Sequence, residues 1–471
     1  MTARASSIDG RTFAFETSTT DAVPVGAYVT VSTDENVFLG QVLDAALTQA
    51  AAGGSVRSIT GSGRLLSPSG DGGFDDATLG LADTELVTEH FTTALGSTAG
   101  LELGTLQTTT EVPALLNAKG FGRHTFLCGQ SGSGKTYTLG VVLERLLLET
   151  DIRMVIIDPN SDFVNLGAVR PQESAGFSDS EYQRLSERYE AISPHIHVFG
   201  GEGSKGRLRA VFGRLSFEQQ TMVLGLDPVR DAEEYNAFVR ITRRFEEGDY
   251  TIDDVMAATR STFADDARRL GLRIDNLGIQ QQSIWAGKEA PLLNELPDDW
   301  RVMVADVGSL PSATESSIAA AALLAFLWEQ RRRREPVLIV IDEAHNVCPQ
   351  EPTDVNQALA TEHVVRIAGE GRKFGRYLLL STQRPSKVHR NVISQCDNLL
   401  LMKMNSAADL DTLSQTFSFA PSGLIELASG FQLGEGLAAG KIAPDPILFK
   451  SGRRLTVEGG SDVSSAWARR R

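Results

Sequence analysis

The sequence predicts an α/β protein built on a parallel sheet, with a small β module ahead of it and a helical insertion inside it. Three observations predict this. Short alternating apolar and polar segments fill the first hundred residues, apolar runs bounded by turns then alternate with helical patterns, and a long Glu-, Arg-, Ala- and Gln-rich stretch interrupts that alternation.

From the N-terminus, "RTFAFETS", "GAYVTVST" and "VFLGQVLDA" alternate with period two between Gly, Pro and Asp-Glu turns, the pattern of a small antiparallel barrel or sandwich. The Gly/Ser-rich stretch 51–73 is expected to be a loop, with more strand-like sequence to about residue 106. We therefore expect a β module over residues 1–108 and the α/β domain over 109–452. Strand candidates in the second part are "HTFLC", "MVIID", "RVMVADV", "VLIVID", "YLLLST" and "NLLLMKM". Between about 170 and 295, segments such as "DAEEYNAFVRITRRFEE" carry apolar residues at helical spacing and predict a helical insertion. The polar, Gly/Ser-rich end, 453–471, is expected to be a loose tail.

Bulk properties narrow the function. The 471 residues carry 60 acidic and 45 basic side chains, a net charge of −15, of which −9 falls within residues 1–110. That acidity argues against coating nucleic acid over the whole surface and leaves room for a local basic lining. No apolar run of about 18 residues occurs, so no membrane partner is expected. The N-terminal "MTARASSIDGRTFAFE" has no basic start and apolar core of a secretory leader, and a cytoplasmic location is expected. Cys128, Cys348 and Cys396 sit in or beside apolar segments with no metal-ligand spacing, which reads as three small buried side chains.

"GQSGSGKT", Gly129, Gln130, Ser131, Gly132, Ser133, Gly134, Lys135 and Thr136, fits G-x-x-x-x-G-K-[ST] between a strand and the helical pattern "TYTLGVVLERLLLE", and with Tyr137 these residues are the expected nucleotide-binding set. Glycines let the backbone curl so that successive N–H groups face a polyphosphate, and the helix N-terminus adds its dipole. Lys135 would reach the β- and γ-phosphates of ATP, and Thr136 would offer its hydroxyl to Mg2+. "VLIVIDEAHN" adds Asp342 and Glu343 at the end of a buried strand, where open α/β sheets bind ligands. Asp342 would hold the metal shell and Glu343 would act as the base on the attacking water. The expected activity is nucleotide triphosphate hydrolysis.

In order along the chain, "RHTFLCGQSGSGKT", "VIIDPNSDF", "IVIDEAHNVCP", "EGRKFG", "LLLSTQRPSKV", "ISQCDN" and "GEGLAAGKIAPDPILFK" resemble the motifs of the HerA branch of the HerA/FtsK ATPases. The resemblance implies a RecA-like P-loop core with a helical insertion, and identifies the N-terminal module as a small β-barrel. It implies a homo-oligomer, most often a hexameric ring, that moves double-stranded DNA and works with a separate nuclease of NurA type or a defence effector. The strand-end glutamine, Gln383, resembles a γ-phosphate sensor. Arg372 in "EGRKFG" resembles an arginine finger offered to a neighbouring subunit, worth about 10³–10⁵ in rate. Arg123 is a second arginine candidate. Two departures stand out: Asn160-Ser161-Asp162 replaces the family's His-Gly-Glu, which puts the role of Asp162 in doubt, and Gln130-Ser131 replaces Ala-Thr at positions expected to contribute mainly backbone. Of Lys373, Arg376, Arg384, Lys387 and Arg390, some are expected to touch DNA phosphates and others to be solvated charges. The run Arg331–Arg334 is expected to end a helix.

Overall fold

Strict alternation over short segments closes a barrel at the start of the chain. The computed structural model describes residues 3–49, 57–67, 72–204, 206–246, 248, 250–285 and 296–460. It divides into two units, the first made of residues 1–150 and 396–454, the second of 151–395 and 455–471.

In the first unit, β1 (Ala3–Ser7), β2 (Thr12–Ser18), β3 (Tyr28–Ser32), β4 (Val37–Gln49), β5 (Arg57–Leu65) and β6 (Phe74–Leu81) close in the order β1-β2-β5-β4-β3-β6. Phe13, Phe15, Val29, Val31, Val42 and Leu79 fill the barrel. The expected loop at 51–73 contains β5, although residues 50–56 and 68–71 lie outside the described residues. Glycines there serve packing: a Cβ on Gly63 would lie 2.2 Å from Phe13, and one on Gly61 2.5 Å from Phe15. A helix, Thr84–Leu95, follows where the sequence suggests more strand; Asp83 starts it by accepting a hydrogen bond from the Leu86 N–H at 2.8 Å. Then come β7 (Gly100–Leu106), β8 (Pro113–Asn117), β9 (His124–Cys128) and the helix Lys135–Glu149.

The second unit contributes β10 (Arg153–Asp158), β11 (Ile196–Gly200), β12 (Gly206–Arg207), β13 (Val302–Asp306), β14 (Val337–Ile341) and β15 (Arg376–Thr382). Their order is β12-β11-β13-β10-β14-β15, with every pair parallel. β10, β13 and β14 are almost wholly buried, as continuous apolar runs in a two-sided sheet must be. β11 is absent from the strand candidates because His197 breaks its apolar run. The insertion is helical over Asp179–Ile192, Phe217–Val223, Ala232–Thr242, Ile252–Ser261 and Asp265–Asn276, with β11 and β12 inside it. Phe212, Phe238, Tyr250, Val255, Met256, Leu270 and Ile274 give it a core of its own, and capping boxes at Ser216/Gln219 and Thr251/Asp254 start two of its helices. Residues 286–295 of the expected insertion lie outside the described residues.

The chain then returns to the first unit with β16 (Cys396–Met402), β17 (Glu435–Gly440) and β18 (Ile447–Ser451). That unit's sheet runs β9-β16-β17-β18-β7-β8, parallel only between β9 and β16. Asp445, ahead of β18, accepts from Arg64 of the barrel and lies 2.8 Å from His90 Nε2, while Gln41 donates to the Pro446 carbonyl at 2.9 Å; these bonds fasten the barrel. The expected loose tail is held as far as residue 460. The Val457 N–H donates to Ala168, the Arg170 N–H donates to Leu455, and the Arg170 guanidinium pairs with Glu458 at 3.0 Å. Two-sided backbone pairing explains the order that a Gly/Ser-rich composition conceals. Residues 461–471 lie outside the described residues.

Candidate active site

β9 is buried throughout and delivers the chain into Gly129–Thr136 at its C-terminal end. Gly132 and Gly134 have φ of +76° and +89°, values that favour glycine and let the backbone fold over before the helix starts at Lys135. Gly129 is needed for a different reason: a Cβ there would meet Met402 at 2.6 Å and Ser133 Oγ at 2.8 Å. The loop is pinned from both sides. The Gln130 N–H donates to the Lys403 carbonyl at 2.9 Å, and the Gly434 N–H donates to the Ser133 carbonyl at 3.0 Å. Gln130 adds its side chain, whose Oε1 accepts from the Asn405 N–H at 3.0 Å, so this position contributes more than the backbone expected of it. Lys135 is buried. The result is a preformed, glycine-turned loop at a helix N-terminus, the geometry that receives phosphate.

Tyr137, Gly140 and Glu144 lie on one face of the helix Lys135–Glu149, at spacings of three and four. That face packs on Arg454. The Tyr137 hydroxyl accepts from the Arg454 N–H at 2.8 Å, and Glu144 pairs with the Arg454 guanidinium at 3.6 Å, both of these charged side chains being fully buried. The Tyr137 phenol thus helps to hold the helix against Arg454. Arg123 lies at the other end of β9 from the loop, across five residues at about 3.3 Å each, roughly 16 Å. It pairs with Asp397 at 3.5 Å with half its side chain exposed, so the structure does not bring it to the P-loop.

In the second unit, the parallel sheet brings four strand ends to one edge. Asp342 follows β14, fully buried, and its N–H donates to the Ile157 carbonyl at 3.1 Å. Asp158 ends β10; its carboxylate accepts from the N–H groups of Asp162 at 3.0 Å and Phe163 at 2.8 Å, organising the loop that follows. Carboxylate oxygens of Asp158, Asp162 and Asp342 lie within 4.8 Å of one another. Burial pushes the Asp158 carboxyl up to about 7; the two backbone donors oppose this, and the charges of Asp342 and Asp162 add to it. Three carboxylates converging in a desolvated pocket fit a hard divalent cation such as Mg2+, so the donor set suits the ion expected from the sequence. Asp162 therefore joins the candidate metal ligands despite its shorter side chain. Its neighbour Ser161 takes φ of +61° and donates to Asp306, at the end of β13, at 2.7 Å.

Glu343 is buried and adopts a left-handed backbone, φ +44° and ψ +51°, a conformation uncommon outside glycine and asparagine and found at functional turns. Gln383 follows β15 and is half-buried. Arg372 lies in the single turn Gly371–Phe374 that ends the helix Val355–Glu370, also half-buried. That turn is braced. Phe374 meets Trp328 edge-on at 5.9 Å, and Arg331 stacks over Trp328 at 4.4 Å while donating to its carbonyl at 2.9 Å. Arg376, one of the five cations expected to divide between DNA contacts and solvated charges, is only 2% exposed and donates to the carbonyls of Leu327, at 3.0 Å, and Glu335. Its guanidinium satisfies backbone carbonyls inside the fold and is out of reach of phosphates. Lys373, Arg384, Lys387 and Arg390 are exposed.

The family model described as "Helicase HerA, central domain" matches residues 101–323. Over that stretch the chain is similar to the HerA-type P-loop ATPases. It is 22% identical over 389 residues to the DNA double-strand break repair helicase HerA of Pyrococcus furiosus, covering 74% of this chain and 69% of that protein. A shorter stretch of 127 residues is 32% identical to the protein of the same name from Sulfurisphaera tokodaii, covering 27% of this chain and 25% of the other. Among solved structures, VirB4 of Thermoanaerobacter pseudethanolicus superposes with a TM-score of 0.53 at 18% identity, over 75% of this chain and 96% of that one, a likeness of fold.

Sequence reasoning missed three groups in this chain. Arg454 and Glu144 are charged residues without a motif, 310 positions apart. His345 sits inside the "DEAHN" motif, but its contact with Thr382 at the end of β15 shows only in the structure. Asp306 ends "RVMVADV", and the signal that could have found it is the same one that marks Asp342, an acidic residue closing a buried strand.

Proposed function

We propose that this chain is the motor subunit of an ATP-driven translocase that moves double-stranded DNA. The observation that carries this is the presence of both a preformed phosphate loop and buried strand-end carboxylates, in a chain whose HerA relatives are named DNA double-strand break repair helicases. Lys135 draws in the β- and γ-phosphates of ATP, and the loop N–H groups hold them. Thr136 offers a hydroxyl to magnesium, and Asp342, helped by Asp158 and Asp162, offers carboxylates. Mg2+ supplies charge neutralisation of the phosphates when bound. Glu343 takes the proton of the attacking water, and Gln383 senses the γ-phosphate. Arg372, on its braced turn, serves a neighbouring subunit of a ring, and Arg123 is the second arginine to test in that role. A separate nuclease or effector subunit does any cutting or signalling.

The experiment is ATP hydrolysis by the full chain with and without duplex DNA across a salt series. Stimulation that fades with salt supports the motor. Turnover indifferent to duplex of any length overturns it. A second reading has one observation in its favour, the net charge of −9 over residues 1–110, which suits electrostatic docking of a partner. Under it the ring binds ATP to assemble and switch an effector. Effector activity would then require Lys135 while triplex displacement from DNA is absent.

A further inference from the structure

His345 stands between the two strand ends that carry the proposed chemistry. Its Nδ1 lies 3.2 Å from Glu343 Oε2 and forms a 3.0 Å hydrogen bond with Thr382 Oγ1. Thr382 is the last residue of β15, directly before Gln383, and its Oγ1 also accepts from the Arg384 N–H at 3.0 Å. The ring is mostly buried, and its own helical turn is tight: the Asn346 N–H donates to the Glu343 carbonyl at 2.7 Å. One ring nitrogen therefore faces both the carboxylate of Glu343 and the hydroxyl that closes β15.

We infer that His345 is a positioning residue, which fixes the Glu343 carboxylate to the end of β15 so that base and glutamine are set as one unit. This rests on Glu343 being the base. A carboxylate only accepts hydrogen bonds, whereas a threonine hydroxyl donates or accepts. With its proton on Nδ1 the ring donates to Thr382 Oγ1 while lying 3.2 Å from Glu343 Oε2, and so links the two. Glu343 needs such a bridge more than most bases, because its backbone occupies an unfavourable left-handed well. A displacement of about 1 Å in a reacting group can cost about 10²-fold in rate.

The test is steady-state ATP hydrolysis by the full chain carrying His345→Ala, His345→Asn, Thr382→Val, Glu343→Gln, and the double change His345→Ala/Thr382→Val. Binding of a fluorescent ATP analogue serves as the check on fold. We expect kcat of His345→Ala to fall about 10- to 100-fold with KM for ATP within about threefold, the signature of an interaction made for the transition state. Asparagine, whose amide reaches the position of Nδ1, restores most of kcat. Thr382→Val lowers kcat alone, and the double change is no worse than His345→Ala, because both cut one tether. Retention of kcat within about twofold by His345→Ala, with Glu343→Gln inactive, overturns the inference and leaves the base in place. Turnover surviving in Glu343→Gln instead overturns the assignment of the base itself. Should His345→Ala fail to bind the analogue, the asparagine and valine variants decide: unchanged kcat in Thr382→Val, or no rescue by asparagine, is the refuting result.

Discussion

Replacing Arg454 by alanine should damage the phosphate loop's own helix from a distance of many residues in sequence. Arg454 is 0% exposed and Glu144 1%, with Nε and Oε1 3.6 Å apart. An exposed pair of that length is worth about 0–1 kcal/mol, but removing one partner of a buried pair leaves a desolvated charge and costs about 3–5 kcal/mol. The larger figure applies here. Gly140 has no side chain because a Cβ would come within 2.6 Å of the guanidinium, so the helix face is shaped around this one residue and alanine leaves a void as well. For a unit of this size, a loss of that order lowers the unfolding midpoint by about 6–20 °C. Thermal unfolding followed by calorimetry, with ATP-analogue binding measured in parallel, checks it. A control separates charge from volume: Glu144→Leu with Arg454→Met, which removes both charges and fills the space, should recover most of the loss. A midpoint within about 2 °C of the parent for Arg454→Ala would refute the reasoning, since by the same scaling it corresponds to a surface pair.

Further substitutions probe separate links. Lys135→Ala should abolish ATP-analogue binding or weaken it severely with little change in the unfolding midpoint, as titration and a melt on the same sample would show. Arg376→Ala should destabilise by about 1.5–3 kcal/mol, through the carbonyls it leaves unsatisfied, and Arg372→Ala should lose turnover while melting normally, so the two neighbouring arginines part in one pair of assays. Gly63→Ala should cost about 1–3 kcal/mol in the barrel by driving Cβ into Phe13, read as a lower midpoint with ATP-analogue binding retained. Finally, Lys387→Gln with Arg390→Gln should lower the slope of log affinity for duplex DNA against log salt by about 0.9 for each phosphate no longer neutralised, without changing hydrolysis in the absence of DNA.

Legibility in the sequence followed how local each signal was. The phosphate loop was legible because strand, glycines, lysine and helix are contiguous, and β10 and β14 were legible because burial on both faces forces unbroken apolar runs. β5 was hidden because its glycines, which read as a loop, exist to make room for Phe13 and Phe15 on the neighbouring strand. Arg376 reads as one more cation in a basic cluster, and only the carbonyls of Leu327 and Glu335 reveal it as an internal brace. The role of Asp158 was equally invisible, since it depends on the following loop turning back to donate its N–H groups.

The chemistry of the second unit follows from one geometric fact about parallel sheets, that all strand C-termini meet at one edge. Asp158, Asp306, Asp342 and Thr382 stand at the ends of β10, β13, β14 and β15, and each is buried, so the charges that the edge collects are weakly screened. A low-dielectric edge lined with carboxylates is unfavourable on its own, and Asp158 records the cost in a carboxyl raised to about 7. Such an arrangement persists where something restores the balance: backbone donors do so for Asp158, the Ser161 hydroxyl does so for Asp306, and under the proposed function a divalent cation would do so for the convergent oxygens of Asp158, Asp162 and Asp342. The same edge therefore explains why these acids are expensive to bury and, under the proposed function, why they sit where a metal-dependent phosphate chemistry would need them.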